Sequence, residues 1–150
     1  MKSIAIPIRI GKGGLARVEK PKQAIDQAIS LLTTTPCLSC VAAPQYGFVF
    51  NNLRFEIINE KEGVVYNSSG QDLLLMSGLY DKKVSGSSNN LNTFASVLKQ
   101  SIETYEKRLR DISVAMTYIR EERKIYMTVK GVMQESGTPY KYESVINVWK

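Results

Sequence analysis

Residues 92–149 read NTFASVLKQSIETYEKRLRDISVAMTYIREERKIYMTVKGVMQESGTPYKYESVINVW, and a change of hydrophobic period within them sets the architecture. In its first part Phe94, Val97, Leu98, Ile102, Tyr105 and Leu109 recur at helical spacing. The pattern predicts an amphipathic helix from about Asn92 to Arg110 with one apolar side. Glu103 and Lys107 stand four apart, as do Glu106 and Arg110, with the acid first, the order that supports a helix. The period then changes to two. Ile112, Val114, Met116 and Tyr118 alternate, and Glu121-Glu122-Arg123 turns the chain. Ile125, Met127, Val129 and Met133 alternate again, with Gly131 as a candidate bulge. Ser136-Gly137-Thr138-Pro139 turns the chain back, and Tyr140 to Trp149 makes the last strand. Strands joined by such short turns imply an antiparallel meander.

Upstream, Pro21 suits the first position of a helix. Ala24, Ile25, Ala28, Ile29, Leu31 and Leu32 then mark one side of a helix that runs to about Thr34, where Thr33-Thr34-Thr35-Pro36 ends it. Nearer the start, isoleucine recurs at 4, 6, 8 and 10, the period of a strand with one buried face. Pro7 cannot donate to a ladder, so this is read as an edge strand or a free arm. Gly11-Lys12-Gly13-Gly14 lacks the spacing of a phosphate loop and reads as a flexible joint. In the middle, Gly47 is a turn candidate, Val64-Val65-Tyr66 a short strand, and residues 85–90 a loop. The class is α+β: two amphipathic helices packed on a mainly antiparallel sheet that ends in a three-stranded C-terminal meander. No internal repeat or second domain appears, so residues 1–150 form one domain.

Composition narrows the function. A chain of 150 residues, 43% hydrophobic and 23% charged, is a globular domain with one core. No apolar run spans a membrane, and Arg9 and Lys12 interrupt any leader, so a cytoplasmic protein is expected. There is no histidine, which removes imidazole acid–base catalysis and His metal ligation. Cys37 and Cys40 are half of a zinc site, and nothing in the chain completes it. The net charge of +6 raises the alternative of a basic nucleic-acid-binding domain. The densest basic cluster, Lys107-Arg108-Leu109-Arg110, is short and flanked by Glu106 and Asp111, so the charge is read as a solubility feature and no nucleic-acid partner is expected. No cofactor is expected.

Three pieces stand in a recognisable order. An amphipathic helix ends in Leu31-Leu32-Thr33-Thr34. Pro44-Gln45-Tyr46-Gly47 follows, then Leu53-Arg54-Phe55-Glu56. A second helix ends in Tyr105-Glu106-Lys107-Arg108-Leu109 ahead of a strand. In this the chain resembles the phage baseplate wedge family, which includes the TssE subunit of type VI secretion systems, over roughly residues 20–58 and 92–149. The family's hallmark Glu-Pro-Arg corresponds to Glu106-Lys107-Arg108, with lysine in place of proline. Against the family, residues 59–93 read as an insertion and residues 1–19 as an added arm.

The resemblance implies a structural subunit of a contractile injection machine. It would sit in a sixfold assembly, bind other wedge subunits (TssF/TssG-like) and start the first sheath ring. It would work in the cytoplasm, in a baseplate that can dock at the inner face of the membrane. It also implies partner-binding roles for Glu106 and Arg108, with Tyr105 and Lys107 beside them, and for Tyr46, Gly47, Phe55 and Glu56. On a continuous helix Glu106 and Arg108 point about 160° apart, which suits different partners better than each other. Tyr126, Tyr140 and Tyr142 are partner-facing or simply good strand formers. A lysozyme-like glycoside hydrolase is the enzymatic alternative. Glycoside cleavage needs two carboxyls across a cleft, one of them with a raised pKa. Glu56, Glu103 and Glu106 show no such arrangement in the sequence, so no catalytic residue is expected.

One outcome follows from the cysteines. A Cys37→Ser/Cys40→Ser variant should unfold at the same denaturant midpoint as the parent chain, and neither should retain zinc after dialysis against a chelator. Stoichiometric zinc that the double substitution removes would overturn this.

Overall fold

A computed structural model describes residues 3–48, 65–67 and 91–147. Residues 3–18 fold back on themselves as β1 (Ser3–Ile4), β2 (Ile10–Gly11), β3 (Gly14–Leu15) and β4 (Arg17–Val18). Helix α1 spans Pro21–Thr34, β5 spans Val65–Asn67 and helix α2 spans Leu91–Tyr105. The meander is β6 (Leu109–Ile119), β7 (Lys124–Met133) and β8 (Pro139–Asn147). The main sheet has the order β5-β6-β7-β8, antiparallel throughout. Both helices contribute to one core with one face of this sheet. The α+β class and the meander are as the alternation predicted.

Alternation places the core directly. Val114 pairs with Val129, Met116 with Met127 and Tyr118 with Ile125 across β6 and β7, and all six are buried. Phe94, Ala95, Leu98 and Ile102 of α2 and Ile25, Ile29 and Leu32 of α1 close over them. Helix α1 has Pro21 in its first turn and no side-chain cap at its start. Its end is held by the threonines, whose hydroxyls donate to carbonyls of the last turn: Thr33 to Ile29, Thr34 to Ser30 and Thr35 to Leu31. Leu31, expected on the buried side, is 39% exposed.

Three expectations need correction. First, α2 stops at Tyr105 rather than Arg110. Glu106 still donates its amide to the Ile102 carbonyl (2.7 Å), and the Leu109 amide then reaches the Glu106 carbonyl (3.4 Å). Leu109 continues the helical stripe, yet it pairs with Met133 as a strand residue. Its burial is satisfied by either period, and no glycine or proline marks the change.

Second, the bulge lies on β6 and not at Gly131. The register shifts between Arg110 and Ser113, where Asp111 has a φ of 51°. Gly131 pairs regularly with Tyr140 and faces the bulge, since a Cβ there would lie 3.1 Å from the Arg110 carbonyl oxygen. Third, residues 3–10 are not one strand with a buried face. Lys12-Gly13 is the two-residue turn of a hairpin in which Gly11 pairs with Gly14 and Ile10 with Leu15, so the glycine joint is a tight turn. Ile4, Ile6, Ile8 and Ile10 are all exposed. The expected end of the last strand at Trp149 lies outside the described residues.

Tyr140 is buried, not partner-facing, and its hydroxyl donates to Asp26 Oδ1 at 2.5 Å, tying β8 to α1. Tyr142 packs partly buried against the core, whereas Tyr126 is exposed and donates to Glu122 Oε2 (2.7 Å). Burial, then the bond to Asp26, holds the Tyr140 hydroxyl above the ordinary tyrosine range. The neutral phenol is therefore favoured by the fold, and its contribution is complete below about pH 10, the unfolded value. It is lost as pH rises beyond that, at up to about 1.4 kcal/mol per pH unit. Urea denaturation between pH 9 and 11 should show this loss in the parent chain and a shallower one in Tyr140→Phe. Equal slopes would remove Tyr140 as the cause.

Candidate functional site

Among the described residues, the chain reversal after α2 is densely hydrogen-bonded. Glu106 is 5% exposed and is the one buried charged residue among those described. A buried carboxylate must be neutralised or heavily hydrogen-bonded. Arg108 does both. Its Nε donates to Oε1 at 2.7 Å and its Nη2 to Oε2 at 2.6 Å, and its backbone amide adds a third bond to Oε1 at 3.1 Å. The expectation that these side chains point apart is thus overturned. It assumed a continuous helix, but the helix has ended at Tyr105 and the turn through Lys107 brings both side chains to one side.

The guanidinium reaches further. Nη1 donates to Ser3 Oγ at 3.2 Å and Nη2 lies 3.5 Å from the Ala24 carbonyl oxygen. One arginine therefore joins the end of α2, the root of the N-terminal hairpin and the first turns of α1. The bonds to Glu106 hold its pKa above the usual arginine value. Most of its donors are used inside the chain. What remains for another molecule is the exposed part of the side chain, which is 38% accessible.

Two of the other expected residues join this corner. The rings of Tyr46 and Tyr105 meet edge to face, with centroids 5.0 Å apart. Burial, helped by Cys40 and Glu106 nearby, pushes the Tyr46 hydroxyl above its ordinary pKa. Gly47 makes the approach possible. It has a φ of 121°, and a Cβ there would lie 2.5 Å from the Thr35 carbonyl oxygen. The close passage lets Phe48 donate its amide to that oxygen and bury its ring completely. Tyr105 is 38% exposed. Lys107 is exposed and caps the helix by donating to the Glu103 carbonyl at 2.8 Å. The expected Glu103–Lys107 and Glu106–Arg110 pairs are replaced by this cap and by the Glu106–Arg108 fork. Phe55 and Glu56 lie outside the described residues. Sequence reasoning missed Ser3 and Ala24, which no local pattern connects to a residue 105 or 84 positions away.

No protein-family model matches the chain, and no curated protein matches its sequence. Among solved structures, a crystal structure from Geobacter sulfurreducens, described as a candidate tail lysozyme, is similar with a TM-score of 0.55 at 14% identity. The match covers 89% of this chain and 96% of that one. The two share a fold.

The corner predicts a stability cost. Arg108→Ala leaves a buried carboxylate without its fork and should cost about 1–3 kcal/mol in urea unfolding. The partial exposure of Arg108 keeps this below the roughly 3–5 kcal/mol of a fully buried pair. Adding Glu106→Leu to Arg108→Ala should restore part of the loss. A loss well under about 1 kcal/mol, the scale of a solvated pair, would show that the fork is not structural.

Proposed function

We propose that this chain is a structural baseplate subunit of a contractile injection machine, TssE-like in its place, and that it carries no catalytic activity. The observation behind the reading is the Glu106–Lys107–Arg108 corner. The tripeptide that resembles the family's Glu-Pro-Arg stands at the end of the second long helix and forms a built site, with Tyr46 and Tyr105 packed beside it. The fold shared with the Geobacter sulfurreducens protein described as a candidate tail lysozyme supports a place in a tail-like machine.

The subunit would act in the cytoplasm as one member of a sixfold assembly, with two tasks on two surfaces. The corner docks on the other wedge subunits through Tyr105, Lys107 and the exposed remainder of Arg108. Because the fork is already occupied by Glu106, Arg108 acts mainly by holding this surface in shape. The second task belongs to β8. It is a nine-residue edge strand, and among the described residues nothing pairs with its outer edge. Such an edge accepts a strand from another chain, and the sheath protein is the proposed donor. Chemistry at the corner is disfavoured because both oxygens of Glu106 are engaged by Arg108 and the side chain is buried, which keeps the carboxyl from a substrate.

The test uses surface substitutions that leave the fork intact. The chain is co-expressed with the structural proteins encoded beside its gene and with the sheath protein. Lys107→Glu should weaken co-purification with the wedge proteins at least tenfold, and Val145→Lys on β8 should keep that binding yet stop sheath assembly. An unsubstituted chain that recovers neither wedge nor sheath proteins would sink the proposal.

A further inference from the structure

The N-terminal hairpin carries an unusual load of exposed aliphatic side chains. Ile4 is 47% exposed, Ile6 38%, Ile8 71%, Ile10 86% and Leu15 51%. Ile10 and Leu15 are cross-strand partners, so their side chains share one face of the tip. Each ladder of the hairpin is only two pairs long, and an isolated two-stranded hairpin is marginal in water. The limb is nevertheless fixed at its root. Val18 is buried, Ile6 donates its amide to Gln27 Oε1 of α1 at 3.1 Å, and Arg108 holds Ser3.

The backbone also presents part of this apolar surface deliberately. The Ala5 amide bonds to the Ala16 carbonyl, and the Ala16 amide bonds to the Arg9 carbonyl. Residues 6–8 therefore leave the ladder as a bulge, which sets Ile6 and Pro7 beside Gln23 and Gln27 of α1 and leaves Ile8 exposed. Pro7, which has no N–H to lose, suits a position outside the ladder. The limb is basic as well. Residues 3–20 hold four cations, Arg9, Lys12, Arg17 and Lys20, against the single acid Glu19. Arg9 and Lys12, on the distal half, make no ion pair with any described residue.

We infer that the hairpin of residues 3–18 is a docking limb that seats lengthwise in an apolar groove bordered by carboxylates on a protein subunit which also covers the Arg108 corner. The inference rests on the docking role proposed above and adds the partner's chemistry to it. Charge complementarity sets the carboxylates opposite Arg9 and Lys12. Continuity sets the partner, since Ser3 at the root of the limb is bonded to the same arginine that shapes the corner. A membrane surface fits less well. The leading point of the hairpin is Lys12 in a glycine turn, and entry tip-first would carry that charge into hydrocarbon.

The experiment measures binding of the full chain to the purified complex of the wedge proteins encoded beside its gene, by biolayer interferometry at two salt concentrations. Arg9→Glu/Lys12→Glu and Ile8→Asn/Ile10→Asn should each weaken binding at least tenfold. The charge variant should also flatten the salt dependence, while circular dichroism shows both still folded. If both limb variants bind like the parent while Lys107→Glu is weakened, the limb inference is wrong and the corner stands. If the parent chain does not bind the complex, both fall. If the limb variants lose only binding to phosphatidylglycerol vesicles, the limb is a membrane element and the protein groove is wrong.

Discussion

A carboxylate taken out of water sets the terms for this molecule. Glu106 is buried where α2 meets the sheet, and an ion in such a place is tolerated only with a counter-ion and its hydrogen bonds. Arg108 can serve only if the helix has stopped between them, because on a helix the two side chains would diverge. The ion pair and the chain reversal are therefore one requirement. Once the reversal is made, Leu109 enters β6 in register with Met133, and the one-residue bulge at Asp111 returns the following alternation to the core. The same guanidinium then fixes Ser3 and the Ala24 carbonyl, so the entry of the hairpin and its lie against α1 depend on it too.

The parts legible in the sequence are those whose burial repeats with a local period. Ile112, Val114, Met116 and Tyr118 announce their strand, and Ala24, Ile25, Ile29 and Leu32 their helix, because each period places them on one face whatever lies opposite. The illegible parts are those settled by distant neighbours. Leu109 fits a helical stripe and a strand equally, and the sheet decides. Gly131 looks like a bulge from its own strand, yet its use is to admit the Arg110 carbonyl from the next one. The isoleucines at 4, 6, 8 and 10 have the period of a buried face, but the backbone bonds of Ala5 and Arg9 to a single residue, Ala16, break the strand between them. At the corner, the adjacency of Tyr105, Glu106 and Arg108 along the chain is legible. Their pairing is not, because it hinges on the helix end.

The fold leaves its unsatisfied chemistry outward in an ordered way. Helices cover one face of the sheet, and the other keeps Tyr126 opposite Val145, both exposed. Lys130 stands opposite Lys141, a like-charge contact that is mildly unfavourable. Among the described residues it is relieved on one side only, by Glu143 at 2.6 Å from Lys141. Among the described residues, the outer edge of β8 has no partner strand, and the hairpin adds aliphatic surface with two cations that make no ion pair. None of these features helps the isolated chain. Together they are the features on which the proposed assembly role draws.

That arrangement bears on how the corner is to be read experimentally. Arg108 holds the fold with most of its donors. Loss of binding on removing it would mix a lost contact with a released hairpin, a loosened α1 and a stranded carboxylate. Such effects are not additive among residues that share partners. Lys107 is different, since its ammonium caps a helix end from the surface and such a bond is worth little to the fold. Arg9 is different again, because it has no ion pair to lose among the described residues. A loss of binding at either position would report the interface, and a loss at Arg108 would report the scaffold that presents it. If the corner docks as proposed, Lys107 is the position that tests the contact with least disturbance of the fold, and Arg108 the one that mainly tests the scaffold.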